Sequence, residues 1–206
     1  MSPGNSIYFL MMMLLILGSF WFALELPVPE NGAHYRRYRI ALAGVVVAWL
    51  VLLGGVVFVQ VTDQQSAAIL PPLERAVMAI SVLLLGWALL TADHGRFRLI
   101  SNLIALLFMA LIVIGYMYIG VLWTSGATTD FNIHPFGYTA TISLLGLSFI
   151  GILLSLFLVR VVLDAPLKMV YFAVLAGAAG LMIYQTSNYR ILGNEPGLLR
   201  LGFILS

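Results

Sequence analysis

The chain has 206 residues, of which 62% are hydrophobic and only 9% are charged, and its net charge is +2. A soluble domain has about 45–50% apolar and about 25% charged residues, so a soluble fold of this length could not bury so much apolar surface. The absence of Cys excludes disulfides, thiolate metal sites and thiol catalysis. This composition predicts a membrane protein.

Six apolar segments are long enough to cross a bilayer, because a spanning helix needs about 20 residues. They are continuous rather than alternating, which excludes barrel strands. We therefore expect an all-α integral membrane protein, a single polytopic helical bundle over residues 1–206. The predicted spans are 7–26, 40–61, 73–92, 99–124, 138–162 and 167–186.

The sequence also predicts how some of these spans begin. The first five residues carry no Lys or Arg, so the first segment is expected to be a retained span and not a signal peptide. Pro71 and Pro72 are expected to precede the third span or to occupy its first turn, where a missing N–H costs little. Glu74 would then lie at the positive end of that helix.

A shorter apolar run, Gly197–Ser206, follows the sixth span. Ten residues cannot cross a bilayer. The run is either an interfacial segment that follows a six-span bundle or the first, partial half of a seventh span.

Basic residues are distributed unequally between the two sides of the membrane. The second, fourth and sixth connections hold Arg75, Arg190 and Arg200. The first, third and fifth connections hold Arg36, Arg37, Arg39, Arg96, Arg98, Arg160 and Lys168. The positive-inside rule therefore places the odd connections in the cytoplasm and the N-terminus outside.

The predicted spans contain few groups that could perform chemistry. Glu25, Arg75, Arg98 and Arg160 are expected near span ends, where long side chains reach the interface, and this disfavours a proton pathway. No catalytic constellation, metal set or cofactor motif occurs, so we expect neither enzyme activity nor a cofactor. Hydroxyl groups within the spans are expected to bond to carbonyls one turn back or to a neighbouring helix. They belong to Ser19, Ser81, Thr141, Ser143, Ser148 and Ser155.

The fourth connection is the most promising place for an external ligand. It carries polar and aromatic side chains, and binding residues concentrate on such loops. A structured cap over the bundle is the plainer interpretation. Asn102, one turn into the fourth span, is either a packing contact or a further ligand contact. The candidate ligand-binding residues are Trp123, Asp130, Asn132, His134 and Asn102.

Small residues on the sixth span have the spacing that lets two helix backbones approach. The pairs are Ala173 with Gly177 and Ala176 with Gly180. Packing within the bundle and contact between two copies of the chain are both compatible with this pattern.

Four segments in order resemble a known family. They are Leu70–Arg75, Trp123 with Asp130–Asn132, Ala176–Gly177, and Gly197–Gly202. The chain resembles the N-terminal seven-helix membrane region that precedes GAF, PAS and kinase domains in certain bacterial sensor histidine kinases. The resemblance implies a sensory input module in the inner (plasma) membrane of a bacterium, which drives a cytoplasmic kinase or other output domain. The phospho-accepting His segment and the ATP-binding boxes are absent from these residues, so no kinase activity carries over.

The leading hypothesis is therefore a membrane-embedded input module of a two-component signalling protein. Its expected partners are the lipid bilayer, a second copy or a larger membrane assembly, and the output domain. No nucleic-acid partner is expected. One alternative is a non-catalytic accessory subunit of a larger membrane complex. Another is a substrate-binding component of a vitamin-type importer, which the low polar content disfavours.

Overall fold

The computed structural model describes residues 3–26, 33–62, 66–91, 96–124, 130–157, 165–188 and 195–205. Six of the helices in this described part are long and apolar enough to cross a membrane, and a short seventh follows them. The chain is therefore an all-α, multi-pass helical bundle, as predicted. The helices are α1 (Pro3–Glu25), α2 (Ala33–Thr62), α3 (Ser66–Leu90), α4 (Arg96–Thr124), α5 (Pro135–Phe157), α6 (Ala165–Ser187) and α7 (Leu198–Leu205).

The predicted spans and the observed helices agree in order and differ at their ends. α2 begins seven residues before the predicted span, because a helix can continue past the apolar segment into water. The predicted span ends at residues 92 and 162 lie outside the described residues, as do Arg160 and Arg190.

The predicted start of the third span was wrong. α3 begins at Ser66, so Pro71 and Pro72 lie inside the helix instead of preceding it. A proline cannot donate to the carbonyl four residues back, so the only carbonyls that lose a donor are in the first turn. The early start places Glu74 more than two turns inside the helix, and not at its positive end.

α3 is the central helix, and it packs against α2, α4 and α5. One of its faces, with Leu73 and Val77, joins a core formed with α1 and α2. Another face, with Met78 and Val82, joins a core formed with α5, α6 and α7. The i, i+4 spacing within each pair places its two members on one face of the helix.

α4 is the least packed of the six long helices. It packs mainly against α3, and no described residue in the most apolar part of Arg98–Trp123 is buried. Its exposed side chains include Leu106, Ile114 and Val121, which are suited to lipid. By contrast, α5 and α6 approach closely where Gly151 faces the ring of Phe172.

α7 lies alongside α6. Gly202 contacts the methyl group of Ala178, and Leu199 is buried in the core that α6 helps to form. Phe203 and Ile204 pack against the core of α1, α2 and α3. α7 therefore packs within the bundle, and both interpretations of this segment are compatible with these contacts.

The hydroxyl groups within the helices behave as predicted. Each of the six bonds to a carbonyl four residues earlier, at distances from 2.8 to 2.9 Å. Three of them, on Thr141, Ser148 and Ser155, form a buried line along one face of α5. These bonds satisfy polar groups where no water can reach them.

Side-chain contacts among the described residues define two ends of the bundle. The first end holds the starts of α1, α3 and α7 and the segment before α5. The second end holds the ends of α1 and α3 and the starts of α2, α4 and α6. The first end carries the polar cluster described next.

Candidate functional site

An ion pair joins α7 to α3 at the first end. The Arg200 guanidinium donates from Nε and Nη2 to the two carboxylate oxygens of Glu74, at 2.8 and 2.9 Å. This two-bond geometry is the strongest that Arg and a carboxylate form. Arginine keeps its proton in proteins, so Arg200 is a cation.

Further contacts enclose the Arg200 head. Its guanidinium carbon lies 4.6 Å from the centre of the Tyr8 ring, in cation–π geometry, and a third nitrogen donates to Glu195 at 3.2 Å. Tyr8 belongs to α1, so Arg200 connects the first, third and seventh helices. The side chain of Glu74 is only 4% exposed, whereas that of Glu195 is 47% exposed.

Arg75 forms the second half of this cluster. It is 3% exposed, and its Nη2 donates to the side-chain oxygen of Asn132. The amide nitrogen of Asn132 donates in turn to the carbonyl of Glu195 at 2.7 Å. One amide side chain thus ties α3 to the chain segments before α5 and before α7. Arg75 lies near the end of its span, as expected, but its side chain is buried against Asn132 and not exposed.

The segment before α5 folds into a compact turn. Asp130 accepts a bond from the backbone N–H of Asn132 at 2.9 Å, which is the bond of an Asx turn. The ring of His134 accepts a long bond, 3.4 Å, from the N–H of Phe136 at the start of α5. Pro135 occupies the first position of that helix, where its missing N–H is harmless.

Gly137 allows this turn to close. A Cβ at that position would overlap the backbone carbonyl oxygen of Phe131. Trp123, at the end of α4, is buried and packs edge-on against the rings of Phe131 and His134, at 5.0 and 5.1 Å between ring centres. The turn is therefore a structured cap, the plainer of the two interpretations made from the sequence.

Below this cap, a cleft of about 430 Å³ opens between α3, α4 and α5. Its walls are almost entirely apolar. Pro72, Arg75, Ala76 and Ala79 form the floor, and the side walls come from 108–119 of α4 and 140–150 of α5. Phe131, which belongs to the cap, also lines the cleft.

Arg75 is the cationic group of the cleft. Of its three nitrogens, Nε and Nη1 are buried and have no hydrogen-bond partner among the described residues. One oxygen of Asp130, Oδ2, is also buried and unpaired within the same part of the chain. A buried donor without a partner costs about 1–3 kcal/mol or more when it is charged, so this arrangement calls for a bound group.

The candidate residues from the sequence divide into two groups. Trp123, Asp130, Asn132 and His134 lie together at the first end, as expected, but they serve the cap. Asn102 lies near the other end of α4, about 30 Å along the helix from Trp123. It accepts a bond from the Trp87 indole at 2.9 Å, which is a packing contact between α3 and α4.

The small residues of α6 also divide. Ala176 is buried within the bundle, whereas Ala173 and Gly177 are exposed. A Cβ at Gly177 or Gly180 would meet no atom within 4 Å. Close packing within the bundle thus uses Ala178 with Gly202, a contact that the predicted pairs missed.

Glu74, Arg75, Arg200 and Tyr8 were not among the candidate residues. The sequence could have pointed to Glu74 and Arg75, which are adjacent charged residues inside an apolar segment. Charges at membrane depth are costly unless they are paired, so such residues are candidates for a buried ion pair. The partner of Glu74 is 126 residues away in sequence, and no local pattern points to it. Within the described residues, no group of three or more acidic or His side chains could hold a metal.

Comparison with known proteins adds no family to this geometry. No family model, no curated protein and no solved structure matches the chain. The chain is a multi-pass membrane protein in which a buried ion pair and Arg75 lie at one end of the bundle, beside an apolar cleft.

Proposed function

We propose that this chain is the membrane-embedded input module of a two-component signalling protein. In this proposal the N-terminus lies outside the inner membrane of a bacterium, and α7 relays a stimulus to a cytoplasmic output domain. The observation that carries it is the ion pair between Arg200 and Glu74, which fastens α7 to the central helix next to the cleft.

The relay works through neighbouring residues of one helix. Arg75 lies in the cleft, and Glu74, the preceding residue, holds α7. A group that displaces the Arg75 side chain therefore acts on the backbone that positions Glu74. A signal needs two helix arrangements of similar free energy and a ligand that favours one of them. Here the two arrangements are α7 paired with α3 and α7 released.

The proposal predicts that α7 moves when the ion pair is broken. The chain has no Cys, so spin labels can be attached at Leu205→Cys on α7 and Leu106→Cys on α4, both at exposed positions. Glu74→Gln in this background should shift or broaden the distance distribution measured by pulsed electron paramagnetic resonance. Glu195→Gln, which removes only the exposed partner of Arg200, is the matched control and should leave the distribution unchanged.

An unchanged distribution in a folded Glu74→Gln protein would contradict the relay. Equal shifts in Glu74→Gln and Glu195→Gln would also contradict it, because the buried pair would then have no special role.

The orientation has a separate test. Asn188→Cys places a thiol at the first end, and Tyr35→Cys places one at the second end, both exposed. A membrane-impermeant maleimide added to intact cells should label Asn188→Cys at once and Tyr35→Cys only after permeabilisation. The reverse pattern would place the N-terminus in the cytoplasm.

One observation favours a second candidate, an accessory subunit of a larger membrane complex. α4 packs mainly against a single neighbour and exposes apolar side chains on most of its surface. Such a helix suits contact with a partner as well as with lipid. Size measurement after gentle solubilisation separates the two, since a large assembly of fixed stoichiometry favours the subunit.

A further inference from the structure

We propose that the cleft between α3, α4 and α5 binds a long-chain carboxylate, a fatty acid drawn from the bilayer. The carboxylate would accept hydrogen bonds from Arg75, and the hydrocarbon chain would lie between α4 and α5. This assignment deepens the proposed function, because it names the stimulus of the same site, and it rests on that function for its role in signalling.

The shape of the cleft matches one hydrocarbon chain. Its wall on α4 runs from Phe108 to Ile119, about 17 Å at 1.5 Å per residue, and its wall on α5 runs about 15 Å. Half of the bilayer hydrocarbon core is also about 15 Å thick. The cleft therefore extends through about one leaflet, parallel to the neighbouring lipid chains.

The volume favours one chain over two. At about 430 Å³ the cleft lies in the lower part of the range of small-molecule sites, about 300–1,000 Å³. Gly115 and Gly146 line it from opposite walls, and a Cβ at either position would meet no atom within 4 Å. The absence of side chains at these two positions leaves space that a chain can fill.

The polar end of the cleft selects for charge. Arg75 is buried, and two of its nitrogens have no partner among the described residues. The neighbouring carboxylate of Glu74 is held by Arg200. The Glu74 and Asp130 carboxylates act on the charge of Arg75, but its hydrogen bond to a side chain goes to the neutral amide oxygen of Asn132. An anion in the cleft would add charge-assisted hydrogen bonds to the Arg75 nitrogens that have no partner among the described residues.

The burial of Arg75 also limits the size of the anionic head. Phe131 and the cap cover this end, so a compact planar carboxylate fits better than a phosphodiester with its glycerol and second chain. A water molecule shared by Arg75 and the unpaired oxygen of Asp130 would satisfy both groups without a ligand. In that case a carboxylate would bind no better than an uncharged analogue.

The test uses photo-reactive palmitate with the full chain in nanodiscs of phosphatidylcholine. Cross-links should map to the cleft segments of α4 and α5, and unlabelled palmitate should compete at a concentration at least about tenfold lower than hexadecanol. Equal potency of the two competitors would overturn the role of Arg75. Stronger competition by hexadecyl phosphate or phosphatidylglycerol would overturn the choice of a carboxylate.

Two glycine variants give the matched control. Gly146→Leu fills the cleft without touching Arg75 and should lower saturable cross-linking at least about tenfold. Gly54→Leu makes the same change on an exposed part of α2, where a Cβ also meets no atom within 4 Å, and should leave cross-linking unchanged. Equal effects of both variants, or no saturable cross-linking at all, would overturn the site.

Binding and relay are measured separately, so their failures can be distinguished. If palmitate binds without changing the distance between labels on α4 and α7, the binding site is supported and its sensory role is contradicted. If Glu74→Gln changes this distance but the protein does not bind palmitate, the relay is supported and the assignment of the ligand is contradicted.

Discussion

The two ends of the bundle use their basic residues in different ways. At the first end, Arg200 and Arg75 bind side chains that come from distant parts of the sequence. At the second end, Arg37, Arg39 and Lys168 bind backbone carbonyls. Arg39 alone donates three bonds, of 2.7 to 2.9 Å, to carbonyls at the end of α1.

The two ends of the bundle are therefore stabilised by interactions of different specificity. The last carbonyls of a helix have no intrahelical donor and carry partial negative charge, so any nearby cation stabilises them. Arg37 and Lys168 do so at the end of α3, on the carbonyls of Thr91 and Leu89. The first end requires particular partners, and the loss of one leaves another charge buried.

The largest expected effect is therefore at Glu74. Glu74→Gln keeps the shape of the side chain but leaves Arg200 without its buried anion, which should cost about 3–5 kcal/mol. Thermal unfolding in detergent should show a large fall in Tm. Glu195→Gln, at the exposed partner, should cost less than about 1 kcal/mol. Similar losses in the two variants would remove the distinction between a buried and an exposed acid.

A smaller effect is expected at the second end. Arg39→Ala removes three bonds to carbonyls of α1, but water at the interface can replace part of them, so we expect about 1–2 kcal/mol. Arg39→Lys should recover a good part of this loss, because a backbone carbonyl accepts from any cation. The same measurement of Tm compares the two variants. If Arg39→Lys recovers none of the lost stability, the second end also depends on a specific hydrogen-bond geometry.

The smallest effect is expected at Asn102. Asn102→Leu removes its bond to Trp87 in a partly buried position, and the leucine restores apolar contact, so the cost should be about 1 kcal/mol or less. Cross-linking of photo-reactive palmitate should be unchanged, because Asn102 lies at the opposite end of α4 from Arg75. A loss of cross-linking would place Asn102 in the binding site after all.

The fold was predictable because lipid imposes a simple rule on sequence. Every backbone group must be paired within its own segment, so span number and order follow from apolar length. The start of α3 could not be predicted in this way. A helix with two prolines in its first turns and a helix that begins after two prolines have the same sequence pattern. The choice depended on residues 66–70, which are apolar enough to continue the helix.

The site was only half predictable. The residues of the fourth connection stood out by composition, and they do lie together. Their role in capping became visible only from contacts such as that of Trp123 with Phe131. The charged cluster was missed because Arg75 and Arg200 were counted as signals of topology, and sequence counts do not tell which charges are paired inside the bundle.

Gly137 has a consequence for how this chain can vary. Its α-hydrogen occupies the only space left beside the carbonyl oxygen of Phe131, so even a methyl group has nowhere to go. Lipid-exposed positions of α4 can exchange one hydrophobe for another with little penalty. Random mutagenesis should therefore recover many functional substitutions along α4 and almost none at Gly137, although Gly137 contributes no side chain of its own.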